Sequence, residues 1–395
     1  MPHLDTVSLA SLHRTCWRLN IISARPLYRT IILKPDQSMS LVISLTRNTH
    51  LREFVESLTV HDHHTIDTVY AEALAPVIAM LGNLRSLCIK GCYTRTQSLL
   101  RGQEIPGWRT LYLPALQSPF LTRLESCDLS FTTCETWPIS SRECIFLHPS
   151  LKTLSILGAS IASFTTYTEQ KNHTTQLQEL ALLCCDLSAD TLCRIVSMPR
   201  ALRRFTMAGA RQIGGAEYTD TMHDRYFRAL LPQAHSLRNL QVGLWNFKYG
   251  HNPRIDLGAF GVLEQFTFTP LMLPPVQGHF RYLTPFSQIP FPESLRGLTL
   301  FHIEASTFSI VERMVLVQLR QLIAGGNLPN LVSVVFATPV FSGLYAGRDL
   351  ALPHGWEQAF EGRVRVQRVG VGEMKQFPVK CACCDYHLGR WVVNA

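Results

Sequence analysis

Leu237-Arg238-Asn239-Leu240-Gln241-Val242 sets the pattern that decides the fold: an apolar residue, two others, an apolar residue, one other, and a third apolar residue. The same phrase stands at Leu84-Arg85-Ser86-Leu87-Cys88-Ile89, Leu151-Lys152-Thr153-Leu154-Ser155-Ile156, Leu177-Gln178-Glu179-Leu180-Ala181-Leu182 and Leu295-Arg296-Gly297-Leu298-Thr299-Leu300. Weaker copies occur at Leu202-Phe205-Met207, Leu263-Phe266-Phe268 and Leu331-Val334-Phe336. A looser one starts at Leu121-Leu124, where Ser126 takes the third apolar position and Cys127 and Leu129 follow. In each clean copy the last two apolar residues are two apart, as a strand with one buried face requires, and the first closes the turn leading into it. Repetition at this scale signals a stacked array, in which each unit buries its apolar row only against its neighbours.

The first leucines fall at 84, 121, 151, 177, 202, 237, 263, 295 and 331, so the steps run from 25 to 37 residues. Some lie inside the leucine-rich window of about 20 to 29 residues and others exceed it, as insertions would. The expected fold is therefore α/β: a leucine-rich-repeat-like solenoid, an irregular horseshoe with parallel strands on its concave face and helices and loops on its convex face. A solenoid grows by adding units, so 395 residues need not split into two ordinary domains. With 46% hydrophobic and 17% charged residues the chain has the composition of a folded protein. No apolar run approaches the roughly 18 residues of a membrane span and no charged leader precedes an apolar block, so a soluble intracellular protein is expected. The twelve cysteines are scattered or sit on apolar rows, the usage of reduced buried thiols, and the sequon Asn172-His173-Thr174 would then go unused.

Residues 1–34 follow another rule. Asp5 or Thr6 can cap a helix whose apolar residues Leu9, Leu12, Cys16 and Leu19 mark one face. Pro26 disfavours helix at Arg25, and Thr30-Ile31-Ile32-Leu33 reads as a strand ended by Lys34-Pro35-Asp36. The reading is a helical head (1–34), an irregular array (35–370) and a Cys-containing tail (371–395).

Within that head, the stretch from His3-Leu4-Asp5 through Leu9, Leu12, Cys16-Trp17-Arg18 and Leu19, followed by Pro26-Leu27-Tyr28-Arg29-Thr30-Ile31-Ile32-Leu33, resembles the second half of an F-box. The whole is similar to the F-box and leucine-rich-repeat proteins of filamentous fungi. The resemblance implies a substrate-recognition subunit of an SCF-type cullin-RING ubiquitin ligase. Leu4, Leu9, Leu12, Cys16, Leu19, Leu27 and Tyr28 would then dock the Skp-family adaptor. The family's first segment, Leu-Pro with an acidic residue and an amphipathic helix, would lie upstream of residue 3. A head completed by such a segment is expected, with a non-ligase repeat scaffold that has lost the F-box as the alternative.

On a leucine-rich array the strand residues between buried ones form the partner surface. Ser155, Thr206, Gln241, Thr267 and Thr299 hold middle positions, and Leu157, Leu183 and Phe301 are apolar at the position after the third buried residue. Exposed there, these three suit a protein partner; covered by inserted loops, they are ordinary core. Arg85, Lys152, Arg203, Arg204, Arg238 and Arg296 precede the strands as a basic rim. Net charge is +8. Its densest basic run, Arg363-Val364-Arg365-Val366-Gln367-Arg368-Val369, alternates like a closing edge strand and lacks the interleaved aromatics of a nucleic-acid surface. Rim arginines suit acidic protein segments at least as well.

Cys381, Cys383, Cys384 and His387 carry ligand types for zinc, but without the two separated pairs of a structural site, so no cofactor is assigned. His61-Asp62-His63-His64 reads as a solvated turn. No Gly-rich phosphate loop, Gly-x-Ser-x-Gly or His-Glu-x-x-His occurs, and a non-catalytic protein is expected.

Overall fold

The computed structural model describes residues 8, 11, 14–15, 17–33, 38–62, 74, 76–91, 121–131, 137–139, 145–161, 172–183, 185–208, 221–243, 256–268, 286, 289–301, 308–339 and 364–371. They fall into two units, Met1–Tyr167 with Thr174–Leu177, and Thr168–His173 with Gln178–Ala395.

In the first unit α1 (Trp17–Arg29) runs directly into β1 (Thr30–Leu33), followed by α2 (Ser38–Arg47) and α3 (Thr49–Arg52). Then come β2 (Ser57–Asp62), β3 (Ser86–Gly91), β4 (Ser126–Phe131), β5 (Trp137–Ile139), β6 (Thr153–Leu157) and β7 (Ala159–Ile161). Strands β1, β2, β3, β4 and β6 pair in parallel in chain order, and β5 pairs with β7 separately. The second unit contains β8 (Glu179–Leu183), α4 (Ala189–Ser197), β9 (Arg204–Ala208), α5 (Thr221–Ala229), β10 (Asn239–Gly243), β11 (Gln265–Phe268), β12 (Gly297–Phe301), α6 (Phe308–Ala324), β13 (Ser333–Pro339) and β14 (Arg365–Val371). These seven strands are likewise parallel and in chain order. Parallel neighbours need a crossover each time, which is why the copies lie tens of residues apart.

Register stacks the repeated phrase into columns. Leu58, Leu87, Cys127 and Leu154 share one row in the first unit; Leu180, Phe205, Leu240, Phe266, Leu298 and Val334 share its counterpart in the second, and all are buried. The leucine ahead of each strand is buried too, at Leu84, Leu124, Leu151, Leu202, Leu237, Leu263, Leu295 and Leu331. Just before it, at five of these leucines, a serine or asparagine ties the copy to the preceding one. Ser150, Ser236 and Ser294 donate to the carbonyls of Leu124, Leu202 and Leu263 at 2.9, 3.0 and 2.8 Å. The longer amides of Asn83 and Asn330 reach Glu53 and Glu293 carbonyls at 2.7 and 2.9 Å. These bonds satisfy turn carbonyls that no strand pairs.

Three sequence expectations are corrected. The looser copy starts at Leu124, not Leu121, because Cys127 pairs with Leu87 and Leu129 with Ile89. Leu121 instead closes the turn, its carbonyl accepting from the Leu124 N–H at 3.0 Å. Helix α1 does not end at Arg25: it continues through Pro26 to Arg29, so the proline costs one backbone bond in the last turns without ending the helix. The basic alternation stops at Val366, since Gln367 aligns with Val335 and Arg368 with Phe336. A further copy, Val55-Leu58-Val60, is equally buried.

Candidate interaction face

Between the buried rows, every middle strand residue looks out. In the first unit the row reads Ile32, Thr59, Cys88, Asp128, Ser155; in the second, Ala181, Thr206, Gln241, Thr267, Thr299, Val335. All are half-buried except Ile32, which is 57% exposed. Adjacent strands lie about 4.8 Å apart, so each row is a ladder of short, mostly uncharged side chains held at fixed spacing by the sheet. Such a wall offers hydrogen-bonding and van der Waals contact at little ordering cost.

The row that opens the strands differs between units. In the first it consists of hydroxyls alone: Thr30, Ser57, Ser86, Ser126, Thr153. In the second it reads Glu179, Arg204, Asn239, Gln265, Gly297, Ser333, Arg365. A Cβ on Gly297 would lie 1.9 Å from Gln265 Oε1, so the glycine leaves room for the Gln265 amide to fold across it.

One residue earlier lies the expected basic rim, and the structure shows what sequence reading missed: much of it is paired with glutamate. Backbone sets the spacing. The Arg85 carbonyl accepts the N–H groups of Glu125 and Ser126 at 2.8 and 2.9 Å, and the Glu125 carbonyl those of Lys152 and Thr153 at 2.8 and 3.0 Å. Arg29 Nε meets Glu56 at 3.0 Å, while Glu125 is held between Arg85 at 3.7 Å and Lys152 at 2.9 Å. The hydrogen bond from the Lys152 ammonium, with its charge, keeps the Glu125 carboxyl below its usual pKa. In the second unit Arg204 pairs with Glu179 at 3.2 Å and Arg238 with Glu264 at 3.3 Å. Arg203 and Arg296 are exposed and hold no ion pair among the described residues. The signal was present in the sequence, since Glu56, Glu125 and Glu264 occupy the same position of the phrase as the arginines.

Of the expected partner residues, Ser155, Thr206, Gln241, Thr267 and Thr299 lie on the middle rows, half-buried, and Leu157 is half-buried at the end of β6. Leu183 is 7% exposed, so it is core, not an exposed contact. Phe301 ends β12 in register with Ala337. In the head, Leu27 and Tyr28 are half-buried in the last turn of α1, which also contains Leu19, while Ile22 is 54% exposed. Leu4, Leu9, Leu12 and Cys16 lie outside the described residues, as do His63, His64, Cys381, Cys383, Cys384 and His387.

One side-chain pair invites a chemical reading and answers it structurally. His148 is 5% exposed, and its Nδ1 lies 3.4 Å from Ser150 Oγ. That hydroxyl's proton is given to the Leu124 carbonyl, so the serine is a clamp and not an activated nucleophile. His148 fills the turn slot that Leu121, Phe260 and Leu328 fill elsewhere, and burial lowers its pKa. Among the described residues Cys88, Cys127, Cys185 and Cys193 form no disulfide, and burial pushes the Cys127 thiol well up, away from thiolate reactivity. No group of three metal-ligating side chains occurs among the described residues, and no helix there is long and apolar enough to cross a membrane.

No protein-family model matches the chain, and no curated protein matches it.

Proposed function

We propose that this chain is a non-catalytic protein-interaction module that works inside the cell, in cytoplasm or nucleus, as the substrate receptor of an SCF-type cullin-RING ubiquitin ligase. Its strand face receives a protein substrate, and its head docks a Skp-family adaptor through Leu19, Leu27, Tyr28 and the residues before them. The observation that supports binding is the middle row: small polar side chains repeated in register along parallel strands, a surface with capacity for contact. The adaptor role rests on the F-box-like sequence of the head. It is supported by the direct passage of α1 into β1, which would fix a bound adaptor relative to the strand array.

The second reading is a repeat scaffold without a ligase link. Ser23 and Ala24 of α1 are buried, which favours a head that caps the array, as open-ended stacks require. Capture of the full chain by purified Skp-family adaptor separates the two. Wild type is expected to bind, and Ile22→Asp, an exposed change, to abolish binding. Capture of neither chain, even after an upstream Leu-Pro and amphipathic-helix segment is added, would sink the ligase reading and leave the scaffold. Deleting residues 1–35 is the poorer test, because it removes β1 and uncovers the edge of β2.

A further inference from the structure

The second unit's leading edge has an excess of positive charge. Arg203, Arg238 and Arg296 stand two residues ahead of Phe205, Leu240 and Leu298, in β9, β10 and β12, with Glu264 at the same position before Phe266 of β11. Backbone bonds lock the series: the Arg203 carbonyl accepts from Arg238 and Asn239 N–H at 2.9 and 3.0 Å, that of Arg238 from Glu264 and Gln265 at 2.8 and 2.9 Å, and that of Glu264 from Arg296 and Gly297 at 2.8 and 3.0 Å. Glu264 neutralises Arg238 at 3.3 Å, and Glu179 neutralises Arg204 of the adjoining row at 3.2 Å. Arg203 and Arg296 are left without an ion pair among the described residues, at the two ends of a three-strand interval.

That interval has a length. Three strand spacings come to about 14 Å, and four residues of an extended peptide span about the same distance with both side chains on one side. We propose that this edge docks an extended acidic protein segment crossing β9 to β12, with carboxylates four residues apart pairing with Arg203 and Arg296. This deepens, and rests on, the reading that the strand face binds a protein. Guanidinium forks take carboxylates bidentately, and the turn ladder fixes the backbone from which both exposed cations project. Between them Glu264, two strand spacings or about 10 Å from Arg203, lies level with the residue three after the first carboxylate and repels a carboxylate there, so the spacing is selected by repulsion as well as attraction. The row that opens the strands, Arg204, Asn239, Gln265 and Gly297, then lies beside the segment. A phosphodiester strand fits less well, because its charge recurs at every nucleotide and would meet Glu179 and Glu264.

The test titrates the full chain against a fluorescein-labelled dodecapeptide with glutamates four apart in a Gly/Thr background, read by anisotropy at low and physiological salt. A peptide with the glutamates three apart and a twelve-nucleotide single-stranded DNA serve as competitors. Arg203→Ala and Arg296→Ala are each expected to weaken the four-apart peptide about fivefold, and Arg320→Ala, an exposed charge loss on α6, to leave it unchanged. Glu264→Gln should tighten binding several-fold by releasing Arg238, a gain that misfolding cannot produce. Equal binding of the two peptides, tighter binding of DNA, or a wild-type affinity indifferent to Arg203 and Arg296 would overturn the proposal. Adaptor capture measured on the same samples reports separately on the receptor reading.

Discussion

Ahead of their strands the first unit carries Arg29, Glu56, Arg85, Glu125 and Lys152, while the second carries Gln178, Arg203, Arg238, Glu264, Arg296 and Val332. In the first the signs alternate, so every cation has an anion one strand away and the edge closes on itself. In the second two arginines adjoin at β9 and β10, and the alternation fails. The same backbone ladder thus builds a rim whose cations are all paired and one with two cations unpaired among the described residues, and only residue choice at one position of the phrase separates them. Exposed ion pairs of this kind add little stability, so the pattern matters for what the surface attracts more than for folding.

The cores differ in parallel fashion, and substitutions there give the largest effects. The second unit stacks Phe266 on Phe268 at 4.9 Å and sets Phe268 against Phe286 at 5.8 Å, whereas the corresponding row of the first unit is Leu58, Leu87, Cys127 and Leu154. Phe266→Ala is expected to cost about 3–5 kcal/mol in urea unfolding. Cys127→Ala should cost much less, about 1 kcal/mol, because a small group leaves a small cavity. Equal losses would show that the aromatic row is no better packed than the aliphatic one.

Next in size is Gln233, wholly buried in the second unit. Its amide donates to the carbonyls of Val196 and Pro199 at 2.8 and 2.9 Å and accepts from the Leu202 N–H at 2.8 Å. Gln233→Leu keeps the volume but strands those three groups, a loss of about 3 kcal/mol by the same measurement. In the first unit His148 is a buried polar side chain whose effect depends on pH. The folded pKa lies below the ordinary 6.5, so below that pH the unfolded chain takes up a proton that the folded one does not. Stability should therefore fall as pH drops below about 6.5, with a slope of at most about 1.4 kcal/mol per pH unit from this group. His148→Leu, which installs the leucine of the sister copies, should flatten that slope; an unchanged profile would assign it elsewhere.

The smallest change belongs to the rim itself. Glu125 has a lowered folded pKa, so its contribution is present above its unfolded pKa and lost as pH falls through the folded one. Because the carboxylate is surface-lying, Glu125→Gln should leave the urea midpoint unmoved within error. Its effect should appear in charge: Arg85 and Lys152 released in the first unit would let it bind acidic peptide too, which erases the difference between the edges.

Much of this was legible before any coordinates. The Leu-x-x-Leu-x-Leu phrase names most of its own buried residues, because a period of two with an outlying third leucine admits one strand face and one turn; Leu240, Val334 and Leu300 lie where it puts them, while Val242 is only half-buried. At the irregular copy the pattern alone points to Leu121, three residues early, since leucines also close the preceding turn, and only pairing of Cys127 with Leu87 separates turn from strand. Pro26 shows the limit of local rules: the preference against helix before proline is weaker than continuing α1 into β1.

By itself, then, the sequence determined a stack of parallel strands with one apolar and one mostly polar face, for burial follows from alternation within each short copy. Tertiary structure alone decided which charges face one another, that Leu183 is core, and that Arg203 and Arg296 stand three strands apart without an anion among the described residues. These depend on partners 25 to 40 residues away in the chain, whose alignment is set by strand register and not by any local pattern.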